Sequence, residues 1–312
     1  PIVLYDPLAD RWLISQFEVD PTPNLQCIAI SQTGDPTGAY YAYSFVAPVP
    51  PVVSEHKFQD YPHYGVWPDA YYLTTNQFNI AGTAFLGGGA YAFDRAKMLA
   101  GDPTASYIYV DVFPIDPNAG GMLPTDVDGY VPPPVGLPQL MMEWRADEFG
   151  DPNDALRLYE FVPNFASPGS STFTVRPDIL VAPFDARQPA GRAKVEQLGG
   201  ENLDSIADRL MFRLAYRNLG TVSTPANSWV GNFSVNVSGV NPTTAGTYQT
   251  GIRWFELHSG GTSLPTLFDQ GTHNLTPGDG AAGLNNWMGA IAQDNQGSLA
   301  LGFSQPSTTQ RA

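Results

Sequence analysis

The chain is poor in cysteine, which limits both its covalent and its redox chemistry. Cys27 is the only cysteine among 312 residues, and it lies within the apolar run from Leu25 to Ile30. That setting favours a small buried side chain, with a nucleophilic thiol as the alternative. Because one cysteine permits no disulfide within the chain, cysteine content does not identify the redox compartment.

Basic residues and long apolar runs are also scarce. Lys and Arg total 15 against 30 Asp and Glu, so the net charge is −15. Such a surface repels nucleic-acid phosphates and anionic membranes, and no apolar run approaches the roughly 18 residues of a membrane-spanning helix. We therefore expect no nucleic-acid partner and no membrane insertion. Cations, neutral carbohydrates and other proteins are the partners that this charge permits.

The motifs of common active sites are missing as well. The four histidines, at positions 56, 63, 258 and 273, show no metal-ligand spacing. The sequence contains no phosphate-binding loop, dinucleotide-binding glycine pattern or G-x-S-x-G motif. These gaps argue against the commonest zinc, nucleotide and serine-hydrolase sites. We expect no cofactor, with calcium as the one exception considered below.

Turn residues and aromatic residues are plentiful. The chain contains 31 glycines and 29 prolines, and aromatic residues make up 12%. Hydrophobic residues reach 43%, which is enough for a full core. Aromatic and β-branched runs separated by Gly, Pro and Asp clusters are typical of short strands joined by tight turns. The composition therefore predicts an all-β protein.

One turn sequence occurs twice and indicates how the strands are grouped. Residues 34–40 read Gly-Asp-Pro-Thr-Gly-Ala-Tyr, and residues 101–107 read Gly-Asp-Pro-Thr-Ala-Ser-Tyr. Each copy leads into a strand-like run, and the second follows a short helix signal with Asp94 as its N-cap. We interpret the pair as the corner before the outermost strand of a sheet that is built twice.

Repeated four-stranded antiparallel sheets predict a β-propeller. The first sheet is expected to hold strands near residues 2–5, 12–19, 26–31 and 40–46. Because the last hairpin has too few strands for a full blade, the fifth blade is incomplete or closed by further chain. We predict a single domain of a longer protein, with five blades at 1–50, 58–115, 135–185, 204–260 and 264–312.

Several segments together resemble a group of large, uncharacterised bacterial secreted proteins that are β-propeller-like. The resemblance implies a secreted or cell-surface location and neighbouring domains of a larger chain, often Ig-like or sorting domains. It implies no reaction and no catalytic residue. The segments that carry it are Tyr5–Trp12, Gly65–Tyr72, Asp208–Leu214, Trp287–Gly289 and the turn Asp294–Gly297.

Glycoside cleavage needs two carboxylates, and the channel of a propeller commonly holds the ligand. Asp60 or Asp69 together with Glu143 could supply the pair. The competing interpretation is structural. An Asp-x-apolar lead-in recurs at Asp10, Asp69 and Asp208, and such repetition favours aspartates that bond backbone amides in turns.

Ligand-binding candidates come from the same segments. Trp67 or Trp144 could stack on a sugar, and Tyr64 is a further ligand-binding candidate. Arg253 with Glu256 could line the channel, and the alternative is an ordinary strand whose charged residues face one side and whose aromatic residues face the core. Trp287 is a further candidate. Functional residues are also expected in the stretches that depart from the repeated strand pattern, because long irregular loops are often functional. These stretches are Asp116–Pro138, Asp185–Asp204 and the rim around Trp67.

Calcium is the metal that the acidic loops could hold, because it prefers carboxylate oxygens. The turn between two strands near residue 150 offers Asp147, Asp151 and Asp154. The proline-rich loop offers Asp126 and Asp128. Neither stretch has the alternating spacing of an EF-hand loop, and a solvated turn is the alternative for both.

Three functional hypotheses follow. The first is an extracellular, non-catalytic propeller that acts as a binding or structural module, with a carbohydrate or a protein at the cell surface as its partner. The second is a carbohydrate-active hydrolase with channel carboxylates. The third is a calcium-stabilised adhesin or lectin. The first is preferred because no catalytic motif is present.

Overall fold

A computed structural model describes residues 1–18, 24–46, 57–245, 248–274 and 284–312. With 51% strand and 5% helix, the protein is all-β, which confirms the predicted class. The chain forms two compact units, which we call the first and the second unit. The first holds residues 1–142, 159–176 and 221–223, and the second holds residues 143–158, 177–220 and 224–312.

The first unit begins with a four-stranded antiparallel sheet, in which each strand pairs with the next along the chain. Side chains alternate between its faces, and Leu4, Leu13, Ile28 and Ile30 are buried on one of them. Four strands were predicted here, and they are confirmed. They are β1 (Ile2–Asp6), β2 (Arg11–Glu18), β3 (Leu25–Ser31) and β4 (Tyr40–Val46).

A second four-stranded sheet of the same connectivity follows. Its strands are β5 (Phe58–Val66), β6 (Tyr71–Phe78), β7 (Phe85–Phe93) and β8 (Tyr107–Asp111). Helix α1 (Arg95–Leu99) lies between β7 and β8, and the Asp94 side chain caps it by accepting the backbone N–H of Lys97. The chain leaves this helix through Gly101, whose φ of +69° favours glycine.

The Gly-Asp-Pro-Thr repeat does form the corner before the outermost strand of each sheet. The first copy precedes β4 and the second precedes β8, and each of these strands ends its sheet. In both copies the aspartate accepts the backbone N–H two residues on, Asp35 from Thr37 and Asp102 from Thr104. Local hydrogen bonding of this kind is why aspartate is favoured in turns.

A buried ion pair joins the two sheets. The carboxylate of Asp6, at the end of β1, is fully buried and lies 2.7 Å from the Nε atom of Arg95 in α1. It also accepts the hydroxyl of Tyr71 at 2.9 Å. The charge of Asp6 is therefore neutralised and hydrogen-bonded, as a buried carboxylate requires.

Replacing Arg95 should cost far more than replacing an exposed arginine. Arg95→Met leaves the Asp6 carboxylate buried without its cation, and we expect the free energy of unfolding in urea to fall by about 3–5 kcal/mol. The matched control is Arg192→Met, because Arg192 pairs with Asp204 and Asp208 but is 44% exposed. Its loss should cost less than about 1 kcal/mol. Equal losses for both variants would contradict the assigned role of the buried pair.

The core tyrosines of the first unit make stability depend on alkaline pH. Tyr64, Tyr71, Tyr72 and Tyr91 are buried, and desolvation is the main cause that raises the pKa of each above the ordinary value of 10.0. Their contribution is fully present below pH 10, where tyrosines of the unfolded chain also keep their protons. It is lost as the pH rises above that value.

We therefore expect the free energy of unfolding to decline from about pH 10 upward. Tyrosinate absorbance from the buried group should appear together with the loss of circular dichroism. If all 15 tyrosines ionised near pH 10 in a protein that kept its circular dichroism, the stabilising role of these buried hydroxyls would be wrong.

The first unit also contains part of a further antiparallel sheet, in the order β12, β11, β10, β9. Strands β10 and β11 contribute residues to both units. The strands are β9 (Leu123–Val127), β10 (Gln139–Arg145), β11 (Ala155–Val162) and β12 (Thr172–Val175), with single-turn 3₁₀ helices at Asp147–Phe149 and Pro168–Ser170.

The second unit is built on four antiparallel strands, each paired with the next, followed by a hairpin. Buried Ala215, Val230 and Ile291 form a core between hairpin and sheet. The sheet strands are β16 (Leu210–Asn218), β17 (Ala226–Asn236), β18 (Thr250–Gly260) and β19 (Thr266–His273), and the hairpin is β20 (Trp287–Gln293) with β21 (Leu299–Ser304). The short elements are β13 (Ile179–Leu180), β14 (Ala193–Val195), β15 (Leu203–Asp204) and α2 (Pro242–Ala245).

The division into five blades and their closure into a propeller stay predictions. The two sheets of the first unit have the expected four strands. In the second unit, however, β19 pairs with β18, and the hairpin β20–β21 forms a sheet of its own. Residues 266–273 therefore belong with the strands before them. Among the described residues, no helix has the length and hydropathy of a membrane-spanning segment.

Candidate functional site

The hairpin of β1 and β2 presents an aromatic pair on its outward side. Tyr5 and Trp12 lie directly opposite each other, with ring centroids 5.0 Å apart and ring planes 50° from parallel. The indole N–H of Trp12 donates to the backbone oxygen of Gly34 at 3.0 Å. Cross-strand pairing and this hydrogen bond fix both rings, while each remains partly exposed.

Asp10, in the turn between these strands, holds the hydroxyl of Tyr5. The hydroxyl donates to the Asp10 carboxylate at 2.8 Å. Asp10 has a φ of +53°, which is uncommon for a residue with a side chain. A Cβ at Gly34 would clash with the Asp10 carboxylate, so a larger residue there would displace that side chain.

The turn that carries Asp10 is itself fixed from the core. Asp6 accepts the backbone N–H groups of Leu8 and Ala9 at 3.0 and 3.1 Å. Sequence repetition predicted that Asp10 and Asp69 bond backbone amides. Asp69 does so, because its carboxylate accepts the backbone N–H of Ala70 in addition to the Tyr72 hydroxyl. In the first turn the prediction is corrected, because Asp6 bonds the amides and Asp10 accepts the Tyr5 hydroxyl.

A third aromatic ring comes from the irregular loop Asp116–Pro138. Tyr130 is 77% exposed, and its hydroxyl interacts with that of Tyr5. We call Tyr5, Asp10, Trp12 and Tyr130 the aromatic platform. All four residues belong to the first unit.

The surroundings of Tyr5 favour the protonated form of its hydroxyl. The hydrogen bond to Asp10, followed by desolvation and the negative charge of Asp10, raises the pKa of Tyr5 to about 12. The platform combines apolar ring surface with the hydroxyls of Tyr5 and Tyr130 and the side chain of Asp10. Such a combination suits a ligand that has both apolar faces and hydroxyl groups.

Two of the predicted ligand-binding residues, Tyr64 and Trp67, lie in the core. Tyr64 is fully buried, and its hydroxyl donates to the Gln26 side chain at 3.1 Å. Trp67 is 2% exposed, and its indole N–H donates to the backbone oxygen of Leu137. Neither ring offers a free face, so their placement does not favour contact with a ligand. Their polar atoms are satisfied within the fold, as expected for buried aromatic residues.

Arg253 and Trp287 lie in the second unit. Arg253 is buried and donates to the Thr272 hydroxyl and the Ala182 backbone oxygen, and desolvation lowers its pKa. Trp287 is half-buried, with its indole N–H bonded to the Asp204 backbone oxygen.

The expected pairing of Arg253 with Glu256 is wrong. The two residues are three apart on one strand and point to opposite faces. Glu256 instead accepts hydrogen bonds from His258, Ser228 and Gln293.

The three candidate catalytic carboxylates divide between the units. Asp60 is half-buried in β5 and has no ion-pair partner among the described residues. Asp69 accepts the Tyr72 hydroxyl at 3.1 Å, and desolvation, opposed by that bond, raises its pKa. Glu143 is buried in the second unit, 3.1 Å from Arg145. A catalytic pair that includes Glu143 stays a prediction.

The acidic turn of the second unit does bring carboxylates together. Ligand atoms of Asp147, Glu148 and Asp154 lie within 4.8 Å of one another, the one such group of three found among the described residues. Both oxygens of Asp154 already accept backbone N–H groups, from Asp147 at 3.0 Å and Phe184 at 2.6 Å. The contacts show a structural role for Asp154, and a calcium site stays a prediction.

The other predicted calcium ligands lie outside this group. Asp151 pairs with Arg145 at 3.0 Å. Asp126 is buried and accepts the backbone N–H of Val66 at 2.9 Å, and Asp128 is half-buried. The partners of Asp126 and Asp151 account for their carboxylates.

Replacing Asp154 tests its structural role. Asp154→Ala leaves two backbone N–H groups unpaired, and we expect the free energy of unfolding in urea to fall by about 2–4 kcal/mol. The control is Asn153→Ala, at the exposed neighbouring position, which should change it by less than about 0.5 kcal/mol. A loss below 1 kcal/mol for Asp154→Ala would contradict the role.

Comparisons with known proteins identify no family for this chain and only weakly similar structures. No family profile and no curated protein sequence matches the chain. One similar solved structure, a provisionally assigned glycoside hydrolase from Parabacteroides distasonis ATCC 8503, is 12% identical with a TM-score of 0.42, covering 99% of this chain and 86% of that one. A provisionally assigned glycosidase from Bacteroides thetaiotaomicron VPI-5482 is 11% identical with a TM-score of 0.39, covering 97% and 85%. Likenesses this weak carry no argument about fold, activity or ligand.

Proposed function

We propose that the protein is a non-catalytic carbohydrate-binding module of a secreted or cell-surface protein. The observation that supports this most is the aromatic platform, with Tyr130 77% exposed beside the partly exposed Tyr5 and Trp12. Single exposed hydrophobic side chains are common on protein surfaces, whereas several exposed aromatic residues side by side are typical of a binding surface. The ring faces suit the apolar C–H faces of a sugar, and Asp10 suits its hydroxyl groups.

Charge narrows the class of carbohydrate. The net charge of −15 and the Asp10 carboxylate both repel anionic sugars such as uronic acids and sulfated glycans. A neutral sugar experiences no such repulsion, and its hydroxyls can donate to Asp10. The secreted or cell-surface location in this proposal rests on the resemblance of the sequence to bacterial secreted proteins.

Binding without cleavage is the proposed activity because the platform contains one acidic residue. Cleavage of a glycosidic bond commonly uses two carboxylates, one on each side of the bond. Of the four platform residues, Asp10 alone is acidic, and its carboxylate already accepts the Tyr5 hydroxyl. That arrangement suits recognition of a hydroxyl more than proton transfer.

Removing the exposed ring of Tyr130 should weaken carbohydrate binding without unfolding the protein. We expect at least one of four neutral polymers, mixed-linkage β-glucan, xylan, galactomannan or pullulan, to retard the protein in affinity electrophoresis. Tyr130→Ala should weaken this binding about tenfold, as loss of a central aromatic contact does. The matched control is Phe268→Ala, which removes a ring that is 63% exposed in the second unit and should leave binding unchanged.

Two results would count against the proposal. If none of the four polymers retarded the protein, or if both variants bound as the native protein does, the platform would not be a carbohydrate site. If the retained polymer released reducing ends on incubation, a hydrolase would replace the non-catalytic module.

A further inference from the structure

The aromatic platform lies at one end of an open sheet face. Tyr5 and Trp12 point outward from the sheet of β1–β4, and the next outward row is Val3, Ile14, Ala29 and Ala42. Val3, Ile14 and Ala42 are exposed, and Ala29 is half-buried. We call this row and the one beyond it the outer face.

The second row of the outer face is also uncharged. It contains Gln16, Cys27 and Ser44, which are paired across β2, β3 and β4. Gln16 and Ser44 are exposed, and Cys27 is partly exposed with its sulfur 3.9 Å from the Ser44 hydroxyl. In a protein with 30 acidic residues, two adjoining rows without any charge form a distinct neutral surface.

We propose that the outer face continues the platform, so that the ligand is an extended neutral polysaccharide and not a single terminal sugar. This inference rests on the proposed function. From Trp12 to Gln16 the strand rises about 14 Å, and the four strands span about 14 Å across the sheet. The side chains of Ala29, Ala42 and Ser44 are short and project little from the sheet. A polysaccharide that stacks on the aromatic rings can therefore continue over the face.

The chemistry of the face favours a polysaccharide over a second copy of this protein. Protein interfaces draw their energy from aromatic, Met and Arg residues at their centre. The centre of the outer face is instead Ala29, Ala42 and Cys27, which offer little apolar area to bury. Gln16 and Ser44 supply neutral hydrogen-bonding groups that match sugar hydroxyls.

Cys27 allows a direct test, because it is the only cysteine and lies about 14 Å from the rings. The probes are the four polymers named above and the monosaccharides that compose them. We expect the retained polymer to slow the modification of Cys27 by a maleimide about tenfold at saturating concentration. The monosaccharides should leave the rate unchanged.

A substitution on the face provides the second measurement. Ala42→Lys places a long charged side chain in the path of the polymer, on an outermost strand that tolerates lysine, and should weaken polymer binding about tenfold. The matched control is Ala81→Lys, the same change at an exposed alanine outside the sheet, which should bind as the native protein does.

The outcomes separate the two proposals. If a polymer binds in a Tyr130-dependent manner but leaves Cys27 equally reactive and Ala42→Lys unaffected, the extended ligand is wrong and the platform site survives. If none of the polymers binds, both fail together. If light scattering shows a concentration-dependent dimer that Ala42→Lys abolishes, the face belongs to a second copy and the inference is overturned.

Discussion

The buried carboxylate of Asp6 connects the fold of the first unit with its candidate site. The carboxylate accepts two backbone N–H groups of the β1–β2 turn, and it also accepts hydrogen bonds from Arg95 in α1 and Tyr71 in β6. Five hydrogen bonds reach this one group. The turn therefore cannot move independently of the sheet behind it, and Asp10 in the same turn is held where it accepts the hydroxyl of Tyr5.

Features that depend on local chemistry could be predicted from the sequence. The Gly-Asp-Pro-Thr turns, the strands of the first sheet and the Asp94-capped helix were found where they were expected. Each depends on hydrogen bonds within a few residues or on alternation along a strand, and both are visible in the residue order. Which strands share a sheet is different, because β19 joins β18 through long-range packing that the spacing of turns does not reveal.

The site could be predicted only in part, because the sequence does not show which aromatic residues remain exposed. Trp67 and Trp12 both lie beside a tight turn, yet Trp67 is in the core and Trp12 faces partly outward. The loop Asp116–Pro138 was expected to be functional, and it contributes Tyr130. The meeting of Tyr130 with Tyr5 joins residues that are far apart in the chain, and no local pattern encodes it. The sequence did offer one indication of the Tyr5–Trp12 pair, because the two aromatic residues lie on either side of one tight turn.

The two related sheets show why the candidate site belongs to the first of them. Both contain an aspartate that accepts a tyrosine hydroxyl, Asp10 with Tyr5 and Asp69 with Tyr72. In the second sheet, Tyr72 is buried, and on the same face Thr74 donates its hydroxyl to the backbone oxygen of Met122. That face is covered by the chain that follows the sheet. In the first sheet the rows nearest the platform are uncharged and largely exposed. A similar aspartate–tyrosine contact is therefore packed inside one sheet and available to a ligand on the other.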